Sequence, residues 1–254
     1  LAAQSLERRI LELGPETVAA FIGEPIQGAG GVIIPPPGYW AEIQRICREY
    51  DVLLIVDEVI CGCGRTGRWW GSERFGIAPD ILTTAKGLSS GYLPIAAVLL
   101  GPRVGDALFA AGQEWTHGFT WSGHPVAAAV ALANLRLIEK EGLHERAGGP
   151  VGDHFAKALA SLGDHPLVGE VRSCGLIAGI ELVEDKALRS YFPPARRVGL
   201  TCRDHCFAQG LVMRAVRDVM VLAPPLVISE AEIDQIVVRA RAALDLTARD
   251  LGLP

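Results

Sequence analysis

The chain has 254 residues, 50% of them hydrophobic and 21% charged, an ordinary composition that can bury one large core or two smaller ones. A net charge of −5, with acidic residues spread rather than blocked, gives no basic field for nucleic acid or anionic lipid, and no apolar run approaches the length of a membrane span. Small-molecule chemistry in the cytoplasm is the expectation, with the six cysteines as reduced thiols because their spacing forms no paired ladder.

The chain opens inside an amphipathic pattern (Leu6, Ile10, Leu11, Leu13) with no N-cap before it, so it reads as a fragment that begins within a helix. Short apolar runs follow at 18–22, 53–56, 81–84 and 95–100, separated by helical or glycine-rich stretches. That pattern predicts a parallel sheet covered on both faces. A helix over 39–50, with Ile43, Ile46 and Cys47 on one face, suits a right-handed crossover between the first two strands. Ligands of such sheets gather at the carboxyl ends of the strands, where Glu24, Asp57 and Lys86 fall.

After a turn at Ser122-Gly123-His124-Pro125, a helix over 126–141 stops at Gly142 and is predicted to bridge two domains. Beyond it, 171–183, 210–214 and 219–222 read as strands of a smaller α+β unit. A closing helix starts at Ser229, with Glu232 three residues later forming a capping box, and runs through Ile233, Val237 and Ala243.

Chemistry concentrates at two strand ends. Asp57 follows Leu53-Leu54-Ile55-Val56, and Lys86 follows Ile81-Leu82-Thr83-Thr84-Ala85. An unpaired charge is costly to strip of water, so a carboxylate and an amine at the mouths of core strands imply a partner that neither supplies alone. Pyridoxal 5′-phosphate suits both, because a carboxylate facing its ring nitrogen keeps the ring cationic while its aldehyde condenses with an amine. Val59, two residues beyond Asp57 and on the same face of an extended segment, is expected to pack against the ring.

Other signals compete. Gly62, Gly64 and Gly67 satisfy the dinucleotide pattern G-x-G-x-x-G after an apolar strand, which would make the chain a nicotinamide oxidoreductase. That reading needs a helix to open at the third glycine, and the following Arg68-Trp69-Trp70-Gly71 has no amphipathic period. Cys61 with Cys63, and Cys202 with His205 and Cys206, are zinc-ligand types at spacings that miss the usual knuckle; core packing is expected and no metal.

Six words then occur in order: Glu24-Pro25-Ile26-Gln27-Gly28-Ala29-Gly30-Gly31, Asp57-Glu58-Val59-Ile60, Gly64-Arg65-Thr66-Gly67, Pro79-Asp80-Ile81, Ala85-Lys86-Gly87 and Phe119-Thr120-Trp121-Ser122-Gly123-His124-Pro125. From about Ala19 to the last helix the chain resembles the class III aminotransferases, and within them the omega-amino acid:pyruvate branch. The resemblance implies an α/β architecture of PLP fold type I: residues 1–140 as the later part of a large, mostly parallel-sheet domain and 141–254 as a small C-terminal α+β domain. It implies transfer of an amino group from a primary amine or omega-amino acid to a keto acid.

Site residues follow from the same resemblance. Lys86 would carry pyridoxal phosphate as a Schiff base and shuttle a proton, Asp57 would face the ring nitrogen, Val59 and Ile60 would lie against the ring, and Glu24 and Gln27 would line the site. Phe119 and Thr120 would reach the cofactor phosphate of the other subunit of a homodimer. Arg214 would grip a substrate carboxylate with two parallel hydrogen bonds and swing away for an uncharged side chain.

Relatives handling ornithine or gamma-aminobutyrate carry an arginine in the strand here spanning 219–223 and Gln where this chain has Ile60. Neither is present, which favours pyruvate as acceptor, although Arg217 and Cys63 depart from the glycine and phenylalanine usual in that branch. In the family an upstream segment supplies a Gly-Ser phosphate loop, a ring-stacking aromatic residue and much of the substrate entrance. An inactive partial chain is therefore the alternative.

Overall fold

The computed structural model describes residues 2–112, 114 and 116–253. Its strands fall into two four-stranded sheets, and the chain divides into two units. The first takes the described residues of Leu1–Ile26, Pro35–Gly64 and Arg68–Gly142; the second takes those of Gln27–Ile34, Arg65–Gly67 and Leu143–Pro254. Among the described residues no helix is long and apolar enough to cross a membrane.

In the first unit, helix α1 (Ala2–Leu13) precedes β1 (Ala20–Gly23), α2 (Tyr39–Glu49), β2 (Leu53–Asp57), the short α3 (Gly71–Phe75), β3 (Ile81–Thr84), β4 (Ala97–Leu100), α4 (Pro102–Ala110) and α5 (Pro125–Lys140). The sheet order is β1-β2-β3-β4. Apolar side chains spaced for one helix face put Ile10 of α1 and Trp40, Ile43 and Ile46 of α2 into one core with Leu54 and Val56 of β2. Burial of side chains of this size contributes about 1.5–3 kcal/mol each, so this cluster fixes which face of β2 turns inward.

One expectation is corrected here. The run at 95–100 joins the sheet as β4 but pairs antiparallel with β3, Thr84 opposite Ala97 and Ile81 opposite Leu100. The 12 residues between the two strands hold a 3₁₀ turn and tight bends, too little for the helical crossover that a parallel return needs. Among the described residues, Ile22 of β1 is 58% exposed and Val98 of β4 63%.

The second unit adds α6 (Leu143–Gly148), α7 (Pro150–Ala160), β5 (Val168–Cys174), β6 (Ile177–Leu182), α8 (Val198–Ala208), β7 (Arg214–Val216), β8 (Val219–Leu222) and α9 (Glu230–Asp250). Its sheet, of order β5-β6-β8-β7, is antiparallel throughout. The apolar stretch 171–183 is not one strand but the end of β5, a turn and β6, because Gly175 takes a left-handed φ of +57° where an added Cβ would stand 2.6 Å from the Arg65 carbonyl oxygen. The stretch 210–214 pairs only at its last residue: Gly210 (φ +70°) ends α8, and Leu211 and Met213 turn into the core. Phe155, Leu159, Leu176, Ile180, Leu182, Cys202, Cys206 and Ile233 form that core.

Candidate active site

β1, β2 and β3 run parallel, with Gly23 opposite Val56 and Asp57 opposite Thr83, so Glu24, Asp57 and Lys86 all emerge at the same edge of the first sheet. Adjacent strands lie about 4.8 Å apart, which makes the ends of β2 and β3 neighbours. The ladder extends one bond past β2, Glu58 N donating to Thr83 O at 2.8 Å.

Asp57 is half-buried, and its Oδ1 accepts a hydrogen bond from Val59 N at 2.9 Å. Val59 therefore lies in a turn and not in the extended segment expected of it, because the aspartate captures the amide two residues on. Val59 and Ile60 are both half-buried beside this turn. Oδ2 of Asp57 has no hydrogen-bond partner among the described residues.

Lys86 is exposed and begins a 3₁₀ turn, Lys86–Leu88, directly after β3. Its φ of +41° lies in the left-handed region, a rare conformation for a residue with a side chain and one that clusters at functional sites. Its Nζ makes no hydrogen bond or ion pair among the described residues. Gly87 must be glycine, since a Cβ there would sit 2.8 Å from Cβ of Cys63. Burial pushes the Cys63 thiol up to about 11, so it packs beneath the turn as an uncharged group.

The glycines of the dinucleotide pattern serve packing instead. No helix opens at Gly67; turns continue to α3, a Cβ on Gly62 would meet the Glu58 carbonyl oxygen at 2.8 Å, and one on Gly67 would meet Cα of Gly148 at 2.4 Å. The helix amides that would receive a pyrophosphate are not formed at that position. Arg65, between them, donates to the carbonyls of Leu176 (2.9 Å) and Pro224 (2.5 Å), and burial lowers its pKa to about 10.

The remaining predicted residues lie elsewhere in the first unit or in the second. Glu24 is half-buried just after β1. Phe119 and Thr120 are exposed at a tight turn closed by Ser122 N to Phe119 O and Phe119 N to Ser122 Oγ, both 2.9 Å. Gln27 is exposed in the second unit, where it pairs with Ile33. Arg214, also in the second unit, is exposed at the start of edge strand β7 and makes no hydrogen bond or ion pair among the described residues. All six cysteines are buried and unbridged, and no group of three or more His, Cys, Asp or Glu among the described residues is placed to hold a metal.

Two residues that the motifs did not single out shape the site. Glu58 is fully buried; its carboxylate accepts from Gly71 N (2.9 Å) and Ser72 N (2.6 Å), and burial raises its pKa against the pull of those amides. The sequence held a signal for it, since consecutive residues at a strand end point to opposite faces and Asp57-Glu58 must send one carboxylate inward. Asn134 of α5 donates from Nδ2 to the carbonyls of Gly87 (2.8 Å) and Leu88 (3.1 Å), and its Oδ1 accepts from Ser90 Oγ (2.7 Å). Its signal was a lone amide in the otherwise apolar stretch 126–135.

The aminotransferase class-III family model matches residues 1–244. The chain is a member of the class III aminotransferases. It is 52% identical over 247 residues to the putrescine–pyruvate aminotransferase of Pseudomonas aeruginosa, covering 97% of this chain and 54% of that protein. It is 45% identical over 249 residues to the diaminobutyrate–2-oxoglutarate transaminase of Halomonas elongata, with 96% and 53% covered. Among solved structures, the omega transaminase from Pseudomonas jessenii in complex with PMP aligns with a TM-score of 0.92 and 49% identity over 98% of this chain and 56% of that one. The chain thus spans about half the length of the curated relatives it matches, and its mixed α/β fold is that of the fold type I transaminases.

Proposed function

We propose that the protein transfers an amino group from a primary amine or omega-amino acid to a keto acid, pyruvate in particular, with pyridoxal 5′-phosphate held between Asp57 and Lys86. One observation carries the reading: a carboxylate and an amine at the carboxyl ends of adjacent parallel strands, with Asp57 Oδ2 and Lys86 Nζ each left without a protein partner among the described residues. When bound, the cofactor supplies an aldehyde that condenses with amines and a cationic ring that takes up the electrons released on deprotonation. Oδ2 of Asp57 fits as acceptor for the ring N–H, a charge-assisted hydrogen bond, while Oδ1 stays anchored to Val59 N. Nζ of Lys86 fits as the amine that binds the aldehyde and, once displaced by the amino substrate, as the base that moves its proton.

Residues 1–140 are assigned to the later part of the large cofactor domain and residues 141–254 to the small C-terminal domain. Val59, Ile60, Glu24 and Gln27 are assigned to cofactor binding. Arg214, a guanidinium without an acidic partner among the described residues, is suited to a keto-acid carboxylate. Phe119 and Thr120 serve the site of a second copy in a homodimer, a role supported by the 77% exposure of Phe119 and of its neighbour Trp121. Of the two relatives described above, the one named for pyruvate is 52% identical and the one named for 2-oxoglutarate 45%, and the pyruvate assignment follows the more similar of the two.

The test is uptake of pyridoxal phosphate by the complete polypeptide. The parent protein is expected to develop a visible band, and borohydride followed by peptide mass mapping to find the label on Lys86. Lys86→Ala is expected to lose the band and turnover together; retained turnover would overturn the assignment.

A further inference from the structure

Lys86 stands in a backbone conformation that its own turn does little to enforce. Leu88 N reaches Ala85 O at 2.9 Å, but the next two bonds, Ser89 N to Lys86 O and Ser90 N to Gly87 O, are long at 3.3 and 3.4 Å. A non-glycine residue at φ +41° persists only when its surroundings over-determine it. Cys63 restrains the turn from below through Gly87, Ser89 Oγ ties its end to Leu93 O at 2.6 Å, and α5 adds a further restraint.

Asn134 supplies it with all of its hydrogen-bonding character directed at one short segment. Both carbonyls that follow Lys86, those of Gly87 and Leu88, accept from the same NH₂ group. The amide oxygen in turn is held by Ser90 Oγ, which fixes the orientation, because a reversed amide would set oxygen against two carbonyls. A residue in mid-helix that would favour turns by its own chemistry is thus spent on a neighbouring loop.

We infer that Asn134 is a positioning residue for Lys86: it holds the strained turn so that Nζ is presented at the carboxyl edge of the sheet in the geometry that captures the cofactor aldehyde. The inference rests on the functional reading above. A misplacement of about an ångström at a reacting group can cost about a hundredfold, so a lost clamp is readable in rate.

The experiment compares apo forms of the complete polypeptide, parent, Asn134→Ala, Asn134→Asp and Ser90→Ala, mixed with pyridoxal phosphate. The rate of growth of the visible band, the pH midpoint of that band and the yield of borohydride label on Lys86 are recorded beside the thermal midpoint of each apo protein. Asn134→Ala is expected to slow capture about tenfold or more and to displace the pH midpoint. Asn134→Asp, which sets a carboxylate against two carbonyls, is expected to do at least as much at neutral pH, and Ser90→Ala less in the same direction. If the variants melt earlier but capture the cofactor at the parent rate with the parent midpoint, Asn134 is structural only and the inference is overturned. Should Asn134→Ala not fold, the other two variants decide by the same comparison. Failure of the parent itself to label Lys86 overturns the functional reading and this inference together, an outcome distinct from equal labelling of parent and variants.

Discussion

Each unit has its own buried apolar core, and they differ in that the first also carries, at the carboxyl edge of its sheet, the lysine and aspartate proposed for chemistry. In the second, an antiparallel sheet shares a closed core with its helices, and Phe155, Leu159, Leu162 and Leu182 are fully buried. In the first, Ile10, Ile43, Ile46 and Val56 are as fully buried, while the carboxyl edge of the sheet holds a lysine in a left-handed conformation and a carboxylate with one oxygen unbonded among the described residues. Burial holds both cores; at the carboxyl edge of the first sheet a few directed hydrogen bonds hold groups that burial would penalise.

Glu58 offers the largest expected break of that contrast, because it is a first-unit residue whose work is mechanical. Glu58→Ala leaves the amides of Gly71 and Ser72 buried without an acceptor and opens space behind β2; a loss of about 2–4 kcal/mol in stability is expected. The sign of the pH dependence follows from burial. A folded-state pKa above the ordinary 4.5 means that the folded protein binds this proton more readily than the unfolded chain. The group therefore contributes most below about 4.5 and progressively less as pH rises through the raised value. Urea titrations at a series of pH values should show that slope in the parent and lose it in the variant. A variant as stable as the parent, or an unchanged slope, would show that the clamp does nothing.

Arg214 sharpens the contrast from the other side, a second-unit residue assigned to substrate. Exposed and unpaired among the described residues, it contributes little to folding, so Arg214→Ala should change stability by no more than about 0.5 kcal/mol. A lost charge-assisted bond to a carboxylate should nonetheless raise KM for pyruvate by about tenfold or more and leave KM for an uncharged amine nearly untouched. Steady-state kinetics on the complete polypeptide with both substrates varied would check it. Equal shifts in the two constants would remove the role.

What was legible in the sequence divides along similar lines. The positions of β2 and β3, the α5 stop at Gly142 and the capping box at Ser229 came from local chemistry that acts within a few residues. So did the placing of Asp57 and Lys86 at strand ends. The antiparallel turn-back of β4 was not legible, since short apolar runs carry no mark of direction. Nor was the Asx turn at Val59, because the same letters suit an extended segment until the Asp57 carboxylate is seen to take the amide. Asn134 lies 48 residues from Lys86 in the chain, and only the packing of α5 against the 86–88 turn reveals what it holds.

The smallest effect expected comes from a place where local chemistry alone acts. Ser229 caps α9, its side chain accepting from Glu232 N while Glu232 reaches back to Ser229 N at 2.8 Å. That backbone bond holds the Glu232 carboxyl below its ordinary range. Removing the cap with Ser229→Ala should cost about 1 kcal/mol, as for other N-caps, and leave cofactor capture at Lys86 unchanged. Because α9 packs Ile233, Ala240 and Leu244 into the second-unit core, the loss should appear as earlier unfolding of that unit by hydrogen exchange. If cofactor capture slowed along with it, the separation of the α9 cap from the proposed chemistry would be wrong, since a cap distant in sequence from both Asp57 and Lys86 would then be governing it.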